Sequence, residues 1–226
     1  MLKAVIFDLD GTVLDNESVW EDVFRTIAKT HELQIESKPG EWIHAPGIGL
    51  LNNWKKIVKD SELAEKLTQE TKKLYIEHTN GEAVIMDGLV PLVEEIKEEG
   101  WQTALATGSE WHTVEAQLVD LDLFLAFDTT TTGDEVLAQK PDPEIYLLTA
   151  QKLGIEPELC MVVEDAPAGV ESAKEAGCVV IGLTSERVSE TELKASGADF
   201  VVDNLSEVMV VLRQHGSKED QTNESN

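Results

Sequence analysis

Residues 2–9 form a short, almost unbroken apolar run, the pattern of a strand buried on both faces. From about Glu17 to Asn80 the period changes. Trp20, Val23, Phe24, Ile27 and Ala28 recur at helical spacing, as do Leu50, Leu51, Trp54, Ile57 and Val58, and then Leu63, Leu67, Leu74 and Tyr75. No strand pattern interrupts them, so the stretch predicts an all-helical insert, broken around Pro39-Gly40 and Ala45-Pro46-Gly47-Ile48-Gly49.

Beyond residue 88 short apolar runs alternate with helical patterns. Helices are expected at Leu89–Glu99, Glu110–Leu118, Pro143–Leu153, Pro167–Ala176 and Leu205–Leu212. Strands are expected at Gln102–Ala106, Cys160–Val163, Val179–Leu183 and Phe200–Val202. Gly100, Gly154 and Gly177 stand where three of the helices should stop. This alternation predicts an α/β fold, a doubly wound parallel sheet with an inserted all-helical domain. The expected organisation is a core of residues 1–15 and 81–213, a helical insert at 16–80, and a disordered acidic and polar tail at 214–226. In such sheets ligands bind outside the carboxyl ends of the strands. The insert begins just past the first such end, placed to cover it as a lid.

Charge narrows the choice of partner. The 226 residues carry 18 Lys and Arg against 44 Asp and Glu, a formal net charge of −26. That field repels polyanions, so nucleic acid is not an expected partner. It also repels small phosphate esters, so any phosphate site must bring local positive charge from a metal, a Lys or a helix N-terminus. No apolar run is long enough to span a membrane, and the first strand starts too early to leave room for a signal peptide. A cytoplasmic, non-membrane protein is the simplest expectation, with a monomer assumed. Cys160 and Cys178 lie in apolar contexts and read as buried small hydrophobes, not as a disulfide or zinc pair.

Four segments carry candidate chemistry. Asp8 and Asp10 end the first strand at i, i+2 spacing, on one side of an extended chain, and Gly11 lets the chain turn away. Two such acids can bind a hard cation and keep one oxygen free to react. Thr107, Gly108 and Ser109 follow a strand and can hold phosphate oxygens, or Thr107 can simply cap a helix. Lys140 precedes the rigid Pro141-Asp142-Pro143 turn and can neutralise an aspartate and a phosphate oxygen, or be an ordinary solvated lysine. Glu164 and Asp165 can complete a Mg²⁺ shell begun by Asp8, or favour a helix N-terminus.

Taken in order, Asp8-Leu9-Asp10-Gly11-Thr12, Thr107, Lys140 and Glu164-Asp165 resemble the four motifs of the haloacid dehalogenase-like superfamily of phosphotransferases. Asp87-Gly88-Leu89-Val90, Lys140-Pro141-Asp142-Pro143-Glu144-Ile145-Tyr146 and Glu164-Asp165-Ala166-Pro167-Ala168-Gly169-Val170 resemble its local wording. The similarity covers about residues 1–212 and is greatest to the helical-cap subgroup of small-metabolite phosphatases and beta-phosphoglucomutase. It implies a Rossmann-like core and a Mg²⁺-dependent aspartyl-phosphate route. Asp8 would be the nucleophile, Asp10 the general acid and base, and Thr107 and Lys140 catalytic partners. Phosphate would be held by Thr107, Gly108, Ser109 and Lys140. Metal ligands would be Asp8, the Asp10 backbone carbonyl and Asp165, with Glu164 bound directly or one layer out. An acid at Asp10 favours turnover of phosphate esters over halide release or a long-lived phosphoenzyme.

The substrate implied is a small phosphorylated metabolite, a sugar or polyol phosphate. A hexose-phosphate mutase is the alternative, but its pattern carries a His ten residues past the acid/base Asp, where Trp20 stands, and an Arg in the cap loop. Residues 45–54 hold neither Lys nor Arg, leaving His44 or Lys55 as substitutes. A phospho-accepting signalling module without turnover is a third reading, disfavoured by the helical insert, and a binding protein that has lost activity a fourth. His44, Trp42 and Trp54 are candidates for lining the substrate pocket, the two tryptophans somewhat better explained by packing inside the insert.

Overall fold

The computed structural model describes residues 2–35, 37, 41–79, 84–118 and 123–216. Its centre is a six-stranded, all-parallel sheet in the order β3-β2-β1-β4-β5-β6. The strands are β1 (Ala4–Phe7), β2 (Gln102–Ala106), β3 (Thr129–Thr131), β4 (Cys160–Glu164), β5 (Val179–Leu183) and β6 (Phe200–Val202). The chain builds outward from β1 through β2 to β3, then crosses back so that β4 pairs with the other side of β1. The carboxyl end of β1 is therefore the point where the winding reverses and neighbouring loops part to leave a crevice.

The alternation along β1 serves both faces. Val5 and Phe7 pack with α4 (Leu89–Glu98), α5 (Trp111–Leu118) and α9 (Val208–Gly216). Ala4 and Ile6 pack with α6 (Glu144–Leu153), α7 (Pro167–Glu175) and α8 (Glu190–Ala195). A strand covered on both faces has no use for polar residues, which explains the unbroken apolar run. Cys160 and Cys178 are buried in this core, and loss of solvent pushes their thiols up to about 11 and about 12.

The expected helical insert consists, among described residues, of α1 (Glu17–Thr30), α2 (Leu50–Ile57) and α3 (Ser61–Thr79). It has its own apolar cluster, built on Trp20, Val23, Phe24, Ile27, Trp54, Leu67 and Tyr75. Trp54 is fully buried there, with its ring 4.7 Å from that of Phe24 and its indole N–H donating to Thr71 Oγ1 at 2.9 Å. It fills volume inside the helical cluster and is not among the residues lining the cavity described below. The chain leaves and re-enters the sheet layer side by side, with Asp15 N–H donating to Val84 O and Met86 N–H to Val13 O, each at 2.9 Å.

Three local expectations change. The Thr129–Thr131 strand was not anticipated, because three threonines on an edge strand make no apolar run. The α8 helix was also missed, although Ser189 and Glu192 form a reciprocal capping box at its start. The α9 helix runs through Gly216, so residues 214–216 are helical and not part of a disordered tail. Val208, Met209 and Leu212 anchor one face of that helix in the core, and His215 meets the edge of Phe200. Residues 217–226 of the expected tail, Pro39-Gly40 and the end of the insert at residue 80 lie outside the described residues. No described helix is long and apolar enough to cross a membrane.

Candidate active site

A cavity of about 330 Å³ lies where the insert faces the carboxyl ends of the central strands. Its floor holds Asp8, Asp10, Thr107, Gly108, Ser109 and Lys140, and its opposite wall includes His44, Trp20 and the 45–53 segment. Glu164 ends β4 and Asp165 follows it, on the strand that pairs with β1 before Asp8.

Lys140 is not a surface lysine. It is 2% exposed, and its Nζ donates to Asp8 Oδ1 at 2.5 Å and to Glu164 Oε1 at 2.6 Å. Glu164 is held further by the Tyr146 hydroxyl, which donates to Oε1 at 2.9 Å, and by Ala166 N–H, which donates to Oε2 at 2.9 Å. That last bond lies just before α7, whose first turn holds no acidic residue and whose N-cap has no side-chain bond. Thr107 does not cap a helix, since α5 begins only at Trp111; its Oγ1 instead accepts the Ser109 N–H at 3.0 Å.

Three buried carboxylates surround one ammonium. Burial pushes Asp8 up to about 8, against the pull of Lys140, and the charges of Glu164 and Asp10 add to the rise. Burial likewise holds Asp165 well above the ordinary carboxylate range, with Glu17, Glu164 and Asp8 reinforcing it. Lys140 stays charged far above its usual range because Asp8 and Glu164 outweigh the desolvation that opposes its charge. The site is thus short of positive charge. Asp8, Glu164 and Asp165 each offer an oxygen, all within 4.8 Å of one another, and Asp165 Oδ1 is buried without a hydrogen-bond partner. An all-oxygen donor set with an orphaned anionic atom fits a hard divalent cation. The Asp10 carboxylate is not in this cluster, so only its backbone carbonyl is left as the ligand the sequence suggested.

The Asp10 side chain has a separate set of partners. Oδ1 accepts from Asn16 Nδ2 at 2.6 Å and from Trp20 Nε1 at 2.9 Å, and Oδ2 meets the Ser109 hydroxyl at 3.0 Å. Burial raises its pKa while these contacts, led by Trp20, resist the rise. An indole N–H can only donate, so Oδ1 is an acceptor and any proton on Asp10 belongs on Oδ2. The Ser109 hydroxyl can rotate to accept that proton or leave it for a substrate. Asn16 and Trp20 themselves are fixed by Tyr75, whose hydroxyl takes Asn16 Nδ2 at 2.9 Å and whose ring stacks 3.5 Å from that of Trp20. Asn16 and Trp20 were not anticipated as partners of Asp10, nor Tyr75 as the group that holds both of them. The available signal was local: Asn16 and Trp20 are one helical turn apart at the start of α1.

His44 lines the cavity as expected, wedged between Glu17 Oε2 at 3.1 Å and Glu21 Oε2 at 2.9 Å. Burial opposes its protonation, but the two carboxylates outweigh it and raise the imidazole pKa. Trp42 lies under the Arg187 guanidinium, and Arg187 also bonds Glu17 at 2.9 Å. Lys55 is exposed and does not line the cavity. Lys72, Glu110 and Gln139 do line it, and none of them was anticipated.

Two glycines admit the carboxylates. Gly11 has φ +80°, and a Cβ there would stand 2.1 Å from Asp165 Oδ2. A Cβ on Gly169 would stand 1.6 Å from Glu164 Oε1. Inside a helix alanine is ordinarily preferred to glycine, so Gly169→Ala gives a clear sign test. Displacement of Glu164 is expected to win, lowering stability by about 1–3 kcal/mol in denaturant unfolding and weakening divalent-cation binding by roughly 10–100-fold in titration. Unchanged cation affinity would show that Glu164 does not support the site.

Comparison with known proteins agrees with this geometry. The family profile described as haloacid dehalogenase-like hydrolase matches residues 2–177. A phosphorylated carbohydrates phosphatase of Thermotoga maritima is 33% identical, covering 94% of this chain and 99% of the relative. Hexitol phosphatase A of Escherichia coli is 30% identical, covering 95% and 96%. Among solved structures, a HAD hydrolase of family IA, variant 3, from Entamoeba histolytica superposes with a TM-score of 0.80 at 27% identity, covering 91% and 95%. A match across most of the chain, joined to relatives similar over their whole length, shows that this protein is an enzyme of the haloacid dehalogenase-like hydrolase family.

Proposed function

We propose that this enzyme is a Mg²⁺-dependent phosphatase acting on a sugar or polyol phosphate through a phosphorylated Asp8, with residues 16–80 as a cap over a core formed by 1–15 and 81–213. The observation that carries the reading is Asp8 at the floor of the cavity, bonded to Lys140 and flanked by Glu164 and Asp165, with a second, separately held acid at Asp10. The names of the relatives, a phosphorylated carbohydrates phosphatase and a hexitol phosphatase, support the substrate class.

In this scheme a carboxylate oxygen of Asp8 attacks phosphorus. The bond to the ester oxygen breaks, its electron pair stays on that oxygen, and the proton on Asp10 Oδ2 neutralises it. Asp10, now ionised, takes a proton from water as that water attacks the phosphoryl group and releases Asp8 as a carboxylate. Thr107, the Gly108 and Ser109 amides and Lys140 would hold the phosphoryl oxygens. A Mg²⁺ ion held by Asp8, Glu164, Asp165 and the Asp10 carbonyl would supply charge stabilisation of the transferring group. The insert would exclude water and so keep Asp10 protonated before the first step.

The test is a panel of sugar and polyol phosphates assayed with Mg²⁺ and then with excess chelator. Free phosphate is expected with the metal, falling to background with chelator. Isomerised sugar phosphate with no free phosphate would favour the mutase reading instead. A stable phosphoprotein without turnover would favour the signalling reading.

A further inference from the structure

The charges lining the cavity are paired in a way that bears on which esters can enter. Among described residues three cationic groups line it: Lys140, His44 and Lys72. Lys140 is committed to Asp8 and Glu164. Each ring nitrogen of His44 faces a carboxylate, Glu17 or Glu21. Lys72, on α3 of the insert, reaches across to Glu110, with its Nζ 2.5 Å from Oε1. The charge of Lys72 is also felt by Asp134, whose Oδ1 accepts the Trp111 N–H beside Glu110. Four carboxylates, Asp8, Asp10, Glu17 and Glu110, line the same space.

We propose that the Lys72–Glu110 pair makes this pocket select phosphate monoesters whose remaining atoms are uncharged and hydroxyl-rich, rejecting those with a second phosphate or a carboxylate. This rests on the phosphatase reading above. A second anion needs an unpaired cation within reach, and here it must first displace a carboxylate from one. A hydroxyl has no such requirement. It donates to a carboxylate and accepts from an ammonium or an amide, so a polyol can bridge Lys72 and Glu110 without separating their charges. Glu110 directly follows Ser109, the partner of Asp10, so selection takes place beside the groups that do the chemistry. Lys72 is shielded, with 15% side-chain exposure, while Glu110 is 47% exposed. Removing Lys72 therefore leaves only a solvated carboxylate, whereas removing Glu110 leaves a shielded ammonium that needs a new anion.

The experiment compares kcat/KM for two matched pairs: fructose 1-phosphate with fructose 1,6-bisphosphate, and glycerol 3-phosphate with 3-phosphoglycerate. The wild-type enzyme is expected to favour the first member of each pair by about tenfold or more. Glu110→Gln frees Lys72 and should shift both ratios by about tenfold toward the doubly anionic member. Lys72→Gln, which removes the cation and leaves the carboxylate, should move them the other way. Wild-type enzyme that cleaves both members alike, or ratios unmoved by Glu110→Gln, would overturn the inference. No phosphate release from any of the four esters would overturn the phosphatase reading itself, and the inference with it.

Discussion

Asp8→Asn is expected to lower phosphate release by about 10⁴-fold or more and, in metal-free buffer, to make the protein more stable. The first effect follows from removing the proposed nucleophile, because an amide oxygen at the same place cannot form the phosphoryl ester. The second follows from electrostatics. Asp8 sits in the folded protein with a value near 8, far above its usual 3.8, chiefly because burial penalises its charge. A group raised in this way contributes its stability fully below the unfolded value, and that contribution is lost as pH rises through the folded value. The metal-free wild-type enzyme should therefore lose stability relative to Asp8→Asn between about pH 4 and pH 8, and the gap should level off above that. Binding of Mg²⁺ to the wild type should close the gap, since a cation reverses the penalty on the carboxylate. Thermal melts of both proteins across pH, with chelator and with Mg²⁺, read the second effect, and phosphate release reads the first. Retained turnover, or a variant less stable than wild type at pH 8 without metal, would refute the assignment.

Asp10→Asn is expected to lower turnover by about 10²–10⁴-fold, with a dependence on the leaving group that identifies its role. Asparagine keeps an oxygen for Asn16 and Trp20, so the local structure should persist. It has no acidic proton for a departing alkoxide and no basicity toward the incoming water. An alkyl phosphate should then fail at the first step. With p-nitrophenyl phosphate, whose leaving group needs little help, the first step should survive and the second should stall. Rapid mixing should show a burst of nitrophenol, about one equivalent per enzyme, followed by slow turnover. Equal losses for both kinds of ester without a burst would mean that Asp10 only positions its neighbours.

Much of this could be read along the chain because local physics leaves a local pattern. Five of the six strands appear as short apolar runs, since a strand between two helical layers has no polar face to show. The edge strand Thr129–Thr131 left no such mark, because its pairing with Ala104–Ala106 of β2 supplies what its side chains do not. The proposed nucleophile was legible as a candidate because Asp8 and Asp10 stand together before a glycine. The role of Lys140 was only one of two open readings, as its burial depends on Asp8, which is 132 positions away. The Lys72–Glu110 pair, 38 positions apart, and the Glu17–Arg187 pair, 170 apart, carried no sequence signal at all.

The sequence by itself determined most of the strands and helices in their order, the place of the helical stretch and the candidate reactive groups. Each of these follows from periodicity or from neighbours a few residues apart. Only the tertiary structure decided which carboxylates share an ammonium, which oxygen of Asp10 can hold a proton and which cations in the cavity are already paired. Those outcomes depend on distance and on exclusion of water, and both exist only after the sheet and the insert have closed around the same space.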